Sequence, residues 1–211
     1  MKGEGDESVI IFALFVIYRG IFVDEVRERT QLLFDELNIL KTRITVGGMS
    51  KADAKEMFED ALLDAYMEGF EAAAYLLGED ALTTDPDKVT DTLEKEYGGV
   101  GILQKFEEYF DSGDSAKLAN LIDSEYHRSM EKGGFDAAEE ASSVRGREVV
   151  KVWDAILDER TRLTHDELDG ARVGLREYFV SSSGDRALYP GDFETAEENA
   201  NCRCVVHYDY S

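Results

Sequence analysis

The sequence predicts an α+β fold, with an N-terminal helical bundle followed by a small C-terminal α+β module of short strands. Two observations predict it. Up to about residue 141, apolar side chains recur at three- and four-residue spacings between glycine and proline stops, the pattern of amphipathic helices packed as a bundle. Beyond Ser142-Ser143, β-branched and aromatic runs alternate with turn residues, the pattern of short strands. The division expected is an apolar segment over 1–22, a helical domain over 23–143 and a C-terminal module over 144–211.

The run Val9 to Tyr18 is uninterruptedly apolar and continues after Arg19-Gly20 into Ile21-Phe22-Val23. It falls short of the roughly 20 residues that span a bilayer. Glu4, Asp6 and Glu7 precede it where a signal peptide carries positive charge. A buried helix or strand, or an element docked on a partner, is expected there, and no membrane insertion. The next stretch carries Val23, Val26, Thr30, Leu33, Leu37, Leu40 and Ile44 on one helical seam that Val46-Gly47-Gly48 ends. Within that seam Val23, Val26, Leu33, Leu37 and Leu40 are the candidate partner-binding residues.

Ser50, with Asp53 three residues on, reads as the N-cap of a second helix. Its apolar face is Ala54, Met57, Phe58, Ala61, Leu62, Ala65, Phe70 and Leu77, and Gly78 stops it. Asp85-Pro86 supplies a cap and a first-turn proline, so a short helix is expected as far as Tyr97, with Gly98-Gly99 breaking it. Ile102, Leu103, Phe106, Tyr109 and Phe110 mark the next helix. Asp111 to Ser115 turns the chain and caps a longer one bearing Leu118, Leu121, Ile122, Tyr126 and Met130, expected to end at Gly133-Gly134. The strands of the module are expected at Val149 to Trp153, Tyr178 to Val180 and Cys204 to Tyr208, with turns at Gly170, Gly174, Ser181 to Gly184 and Pro190-Gly191.

A formal charge of −23 excludes one class of function. The chain up to Ser124 has 12 basic against 27 acidic residues and the remainder 11 against 19, so neither part carries the basic footprint that neutralises phosphates. Any association with DNA is expected to be indirect. Two cysteines cannot make a disulfide framework, and a Cys-x-Cys pair is poorly placed to bridge with itself because same-face strand residues point in parallel. Reduced thiols and a cytoplasmic origin are expected. There is no Gly-rich phosphate loop, so no nucleotide chemistry and no small-molecule substrate is expected.

The last sixty residues hold an ordered series of short motifs. Trp153 leads to Asp158-Glu-Arg160-Thr161-Arg162, His165, Leu168-Asp169-Gly170, Tyr178-Phe179, Pro190-Gly191-Asp192 and Asn201-Cys202-Arg203-Cys204. One such motif is weak, but the whole series in order is specific. It resembles the C-terminal module of the phage Mu F-like minor head proteins. More loosely, Ser124 to Gly133 and Ala65 to Phe70 are similar to that family's helical regions. Where some relatives have a Cys pair before the His, this chain has Arg162, Leu163 and Thr164. The resemblance implies a low-copy, portal-associated capsid component that supports head assembly and DNA packaging or delivery. Its partners would be a portal protein and possibly the scaffold or major capsid protein. Its place would be the virion, after assembly in the host cytoplasm.

Two chemical readings of the motif residues compete with a structural one. Asp158, Arg160, Arg162, His165 and Asp169 could form a nuclease site, His165 acting as general base and an arginine stabilising the transition state. The structural reading makes the same groups a hydrogen-bonded turn and assigns no catalytic residue. A membrane-active ejected protein using Val9 to Val23 is a weaker third reading. For zinc, His165, Cys202, Cys204 and His207 are suitable ligand types, but a strand from Cys202 to Tyr208 would turn His207 away from the two cysteines, leaving at most three convergent ligands. No metal or other cofactor is therefore expected, and the cysteines are expected to pack under the core of the module. Trp153, the sole tryptophan, is expected in that core.

Overall fold

In the computed structural model, residues 37–44 and 46–211 are described. The α+β class holds. Within the described residues a helical segment over 37–44 is followed by α1 (Lys51–Leu76), α2 (Pro86–Asp91) with a 3-10 turn (Thr92–Glu94), a hairpin of β1 (Glu96–Tyr97) and β2 (Val100–Gly101), α3 (Ile102–Ser112) and α4 (Ser115–Arg145). The module then runs β3 (Val149–Asp154), α5 (Leu163–Asp166), β4 (Arg172–Gly174), β5 (Phe179–Val180), β6 (Arg186–Ala187), α6 (Ala196–Asn199) and β7 (Val205–Tyr210). The Val9 to Val23 run, Val26 and Leu33 lie outside the described residues. No helix among the described residues is long and apolar enough to cross a membrane.

The helix starts are set by their caps. The Ser50 hydroxyl accepts from Asp53 N, the Asp85 carboxylate from Asp87 N and the Asp114 carboxylate from Lys117 N, each satisfying a donor that the first helical turn leaves open. Between α1, α3 and α4 lies an apolar core in which Phe58 and Phe106 stack with ring centroids 4.7 Å apart, joined by Leu62, Ile102, Leu118 and Ile122. Leu37, Leu40 and Ile44 close the same core. Leu37 and Leu40 therefore belong to the chain's own interior, and as folded here they are not offered to a partner as the seam alone suggested.

Two expectations about helix ends are corrected. The helix that opens at Pro86 stops at Asp91 and tightens into the 3-10 turn, and Tyr97 stands in a strand instead. Gly98 and Gly99 both have positive φ, +63° and +78°, the requirement of a tight hairpin turn, so the glycine pair makes β1 and β2 rather than ending a helix. Gly133-Gly134 does not end α4, which continues to Arg145 and is capped by Gly146 at φ +59°. The reason lies across the helix interface. A Cβ on Gly133 would sit 2.0 Å from the Tyr66 carbonyl oxygen of α1, and one on Gly69 would sit 1.9 Å from that of Met130. The glycines let two long helices touch backbone to backbone. Beside the crossing, the Tyr66 hydroxyl donates to Asp136 at 2.6 Å and Lys132 reaches the same carboxylate.

The module is built on a three-stranded antiparallel sheet in the order β4-β3-β7. Val149, Lys151 and Trp153 of β3 face inward and the residues between them face out, the alternation that a half-buried strand imposes. The sheet packs on α4 and the end of α1 through Leu77, Phe135, Ala138, Val149, Leu175 and Tyr189. The Pro190-Gly191-Asp192 turn docks against α4, where Gly191 at φ +87° approaches so closely that a Cβ would lie 2.8 Å from that of Arg128. Arg128 is itself buried and donates to Glu125 at 2.6 Å and to the Thr92 carbonyl at 2.5 Å.

Candidate functional site

The motif residues converge at one end of the sheet. Central strand β3 carries Trp153, fully buried between Phe179 at 5.0 Å and Phe193 at 5.8 Å between ring centroids. Gly170, at φ +73°, donates its N–H to the Trp153 carbonyl, and Asp169 accepts from Ala155 N at 2.9 Å. The Leu168-Asp169-Gly170 turn is therefore a clamp on the end of β3. It positions the short helix α5, on which His165 points back into the module.

His165 is enclosed, with 1% of its surface exposed. Its ring stacks on Phe193 at 5.4 Å and meets the edge of Trp153 at 5.6 Å. The Nδ1 atom lies 3.4 Å from Cys204 Sγ and 3.6 Å from Cys202 Sγ. On the far side of the ring, Nε2 is 3.1 Å from Glu198 Oε2, off the line of a well-formed hydrogen bond. Among the described residues His165, Cys202 and Cys204 form the one group of three or more His, Cys, Asp or Glu ligand atoms close enough to hold a metal ion.

The chain reaches this geometry through local devices. Asn201 adopts φ +55°, a left-handed conformation that asparagine tolerates, and its N–H donates to Ser124 Oγ on α4. Cys202 and Cys204 then flank Arg203, which turns outward and makes a two-pronged ion pair with Asp158 at 2.6 and 2.7 Å. That guanidinium is the main cause holding the Asp158 carboxyl well below the usual carboxylate range. Asp158 also accepts from Arg160 N at 2.9 Å, Thr161 Oγ1 donates to the Ile156 carbonyl, and Arg162 donates to the Ala200 carbonyl. The two motifs Asp-x-Arg-Thr-Arg and Asn-Cys-Arg-Cys are thus tied to each other. The Arg160 side chain is exposed.

The two thiols influence each other. Hydrogen bonding from Cys202 draws the Cys204 thiol down against the opposing effect of burial, with His165 and Trp153 adding to it, and the same contact together with burial pushes Cys202 up. His127, on α4, bonds the backbone of Cys204, and burial lowers its own pKa to about 4. His207 faces away and pairs with Asp154 at 2.8 Å.

Residues 86–207 match the family model described as Phage Mu protein F like protein. The chain belongs to that family. The match runs from α2 into β7, so in this Mu F-like chain it includes the helical support of the module as well as the motif residues. Minor head protein GP7 of Bacillus phage SPP1 is 36% identical over 93 residues, 44% of this chain and 30% of that protein. The NAD(+)--arginine ADP-ribosyltransferase EFV of Enterococcus faecalis is 41% identical over 73 residues, 35% of this chain and 14% of that protein. The matched stretches thus span under a third of either relative's length. No solved structure matches this chain.

Three participants escaped the sequence reading. Glu198 sits in the polar stretch before Asn201 and reads as surface, yet it is buried and accepts from Thr164 at 2.8 Å and Ser183 at 2.7 Å. His127 reads as one position of an amphipathic helix. Lys151 is fully buried, its Nζ donating to the Leu188 carbonyl at 2.7 Å between the rings of Phe135 and Phe179. For Lys151 the signal existed: alternation along β3 puts it on the same face as Val149 and Trp153.

Proposed function

We propose that this Mu F-like chain is a minor head component of a tailed bacteriophage, placed near the portal, and that it supports head assembly and DNA packaging or delivery. The family match over residues 86–207 carries this reading, and the stretch shared with the SPP1 minor head protein supports it. The geometry favours a structural role for the motif residues. Asp158, Arg162, Arg203 and Asp169 are spent on holding turns together, and His165 is enclosed by aromatic rings rather than set in an open cleft. Its partners are a portal protein and, in the assembling head, scaffold or major capsid protein; its acidic surface keeps association with packaged DNA indirect. With Leu37 and Leu40 committed to the interior, contact with the portal falls to other residues of the helical part.

The test is co-expression with the portal protein of the same phage, followed by size-exclusion chromatography. Co-elution with the assembled portal is the expected result; a chain that elutes alone beside an assembled portal overturns the placement. The stretch shared with the ADP-ribosyltransferase is 14% of that protein and lends no support to a transferase activity in this chain. Incubation of the chain with duplex DNA and Mg²⁺, Mn²⁺ or Zn²⁺ is expected to leave the DNA intact. Metal-dependent cleavage that disappears in His165→Ala would replace the structural reading with an enzymatic one.

A further inference from the structure

One ring nitrogen of His165 faces two sulfurs while the other faces a carboxylate. A neutral imidazole has one proton to place on two nitrogens. With the proton on Nδ1, Nε2 turns a lone pair toward Glu198 at 3.1 Å. With the proton on Nε2, the Nδ1 lone pair is aimed at both sulfurs, 3.4 and 3.6 Å away. The second arrangement turns the imidazole lone pair and both sulfurs toward one point, which is the donor set of a metal site. A cation at the centre of Nδ1 and the two Sγ atoms takes up all three donors at once.

The spacing agrees with that solution. Tetrahedral zinc bonded to imidazole nitrogen at about 2.0–2.1 Å and to thiolate at about 2.3 Å sets the N to S edge near 3.5 Å, and the observed edges are 3.4 and 3.6 Å. Glu198 Oε2, 3.1 Å from Nε2 but off the hydrogen-bond line, stands on the side where a carboxylate commonly takes the outer N–H of a metal-bound histidine. The sequence reading expected no metal because it found no fourth ligand. Three protein ligands suffice where solvent completes the shell, and the cluster borders a small hollow that Ile156, Thr161, Arg162 and Asn201 also line.

We propose that His165 Nδ1, Cys202 Sγ and Cys204 Sγ bind a thiophilic divalent cation, zinc by ligand type, with Glu198 as the positioning residue for the imidazole. Binding forms two metal–sulfur bonds and one metal–nitrogen bond, and any proton on Cys202 or Cys204 leaves to solvent, so both ligate as thiolates and balance the divalent charge. The metal ties the Asn201 to Cys204 segment to α5, which is the closure of the module.

The test uses the untagged full chain, purified under reducing conditions and analysed for bound metal, then stripped and reloaded with Co²⁺. Stoichiometric zinc is expected, and a thiolate-to-cobalt charge-transfer band that Cys204→Ser and Cys202→Ser abolish. Glu198→Gln should keep the fold and the band but lower zinc affinity about 10–100-fold in competition with a chromophoric chelator. That variant keeps the proposal testable if the cysteine variants do not fold. Folded protein that takes up neither zinc nor cobalt overturns the proposal. So does a cobalt spectrum that lacks the sulfur band or survives Cys204→Ser, and so does an affinity unchanged by Glu198→Gln.

Discussion

The helical part and the module solve the same problem by different means. In the helical part, long elements bury broad apolar faces around Phe58, Leu62, Phe106 and Ile122, and buried charges such as Arg128 and Glu125 lie instead along α4 where the Pro190-Gly191-Asp192 turn docks. In the module, strands of two to six residues bury too little surface for that, and its interior admits His165, Lys151, Glu198 and two cysteines beside Trp153. The difference explains why the module is recognisable from its motifs and the helices mainly from their periodicity. A helix core accepts many apolar side chains of similar volume. A polar interior accepts only residues whose hydrogen-bonding groups match.

The largest expected effect bears on that contrast. Trp153→Ala should cost about 3–5 kcal/mol, as removal of a fully buried aromatic does, and should expose Cys202 and Cys204 to a thiol reagent below the melting transition. Phe106→Ala should cost a similar amount but leave the thiols protected. Chemical denaturation combined with thiol titration checks both, and equal thiol exposure in the two variants would break the comparison.

A smaller effect sharpens it at the helix crossing, where backbone shape rather than side-chain chemistry decides. Gly133→Ala should destabilise by about 1–3 kcal/mol, because the added methyl meets the Tyr66 carbonyl and the helices must part. Its neighbour should behave in the opposite sense. A Cβ on Gly134 meets nothing closer than 3.5 Å, so Gly134→Ala should be neutral or stabilise by up to about 1 kcal/mol through lower backbone entropy in the unfolded chain. Melting curves of the two variants would refute this if they shifted alike.

The smallest effect is a pH dependence within the module. Burial lowers Lys151 to about 8, although Asp192, Glu177 and Glu139 pull it upward. Between pH 8 and the unfolded lysine value of about 10.4, the unfolded chain holds the extra proton, so stability contributed by this group rises with pH across that window. Lys151→Met should flatten that rise and leave the protein at least as stable at pH 7.5. Urea midpoints measured across the window decide it; an unchanged slope in the variant would assign the pH dependence to other groups.

The sequence by itself determined what depends on neighbours in the chain. Ser50, Asp85 and Asp114 cap their helices because a cap acts on an N–H two or three residues away. The β3 and β7 strands are legible from β-branched and aromatic runs, and the ordered motifs from Trp153 to Cys204 mark the family. The tertiary structure decided what depends on the far side of a contact. Gly98-Gly99 and Gly133-Gly134 look alike as stops. One pair turns a hairpin because both residues take positive φ, while the other continues a helix because α1 presses its backbone there. The seam pointed to Leu37 and Leu40 as partner-binding residues, and packing among α1, α3 and α4 makes them core. Glu198 had no signal at all, because a carboxylate's burial is set by the imidazole, hydroxyls and guanidinium brought to it from elsewhere in the chain. Local hydrogen bonds are written into short spacings, whereas close approach and burial belong to pairs of segments that only folding brings together.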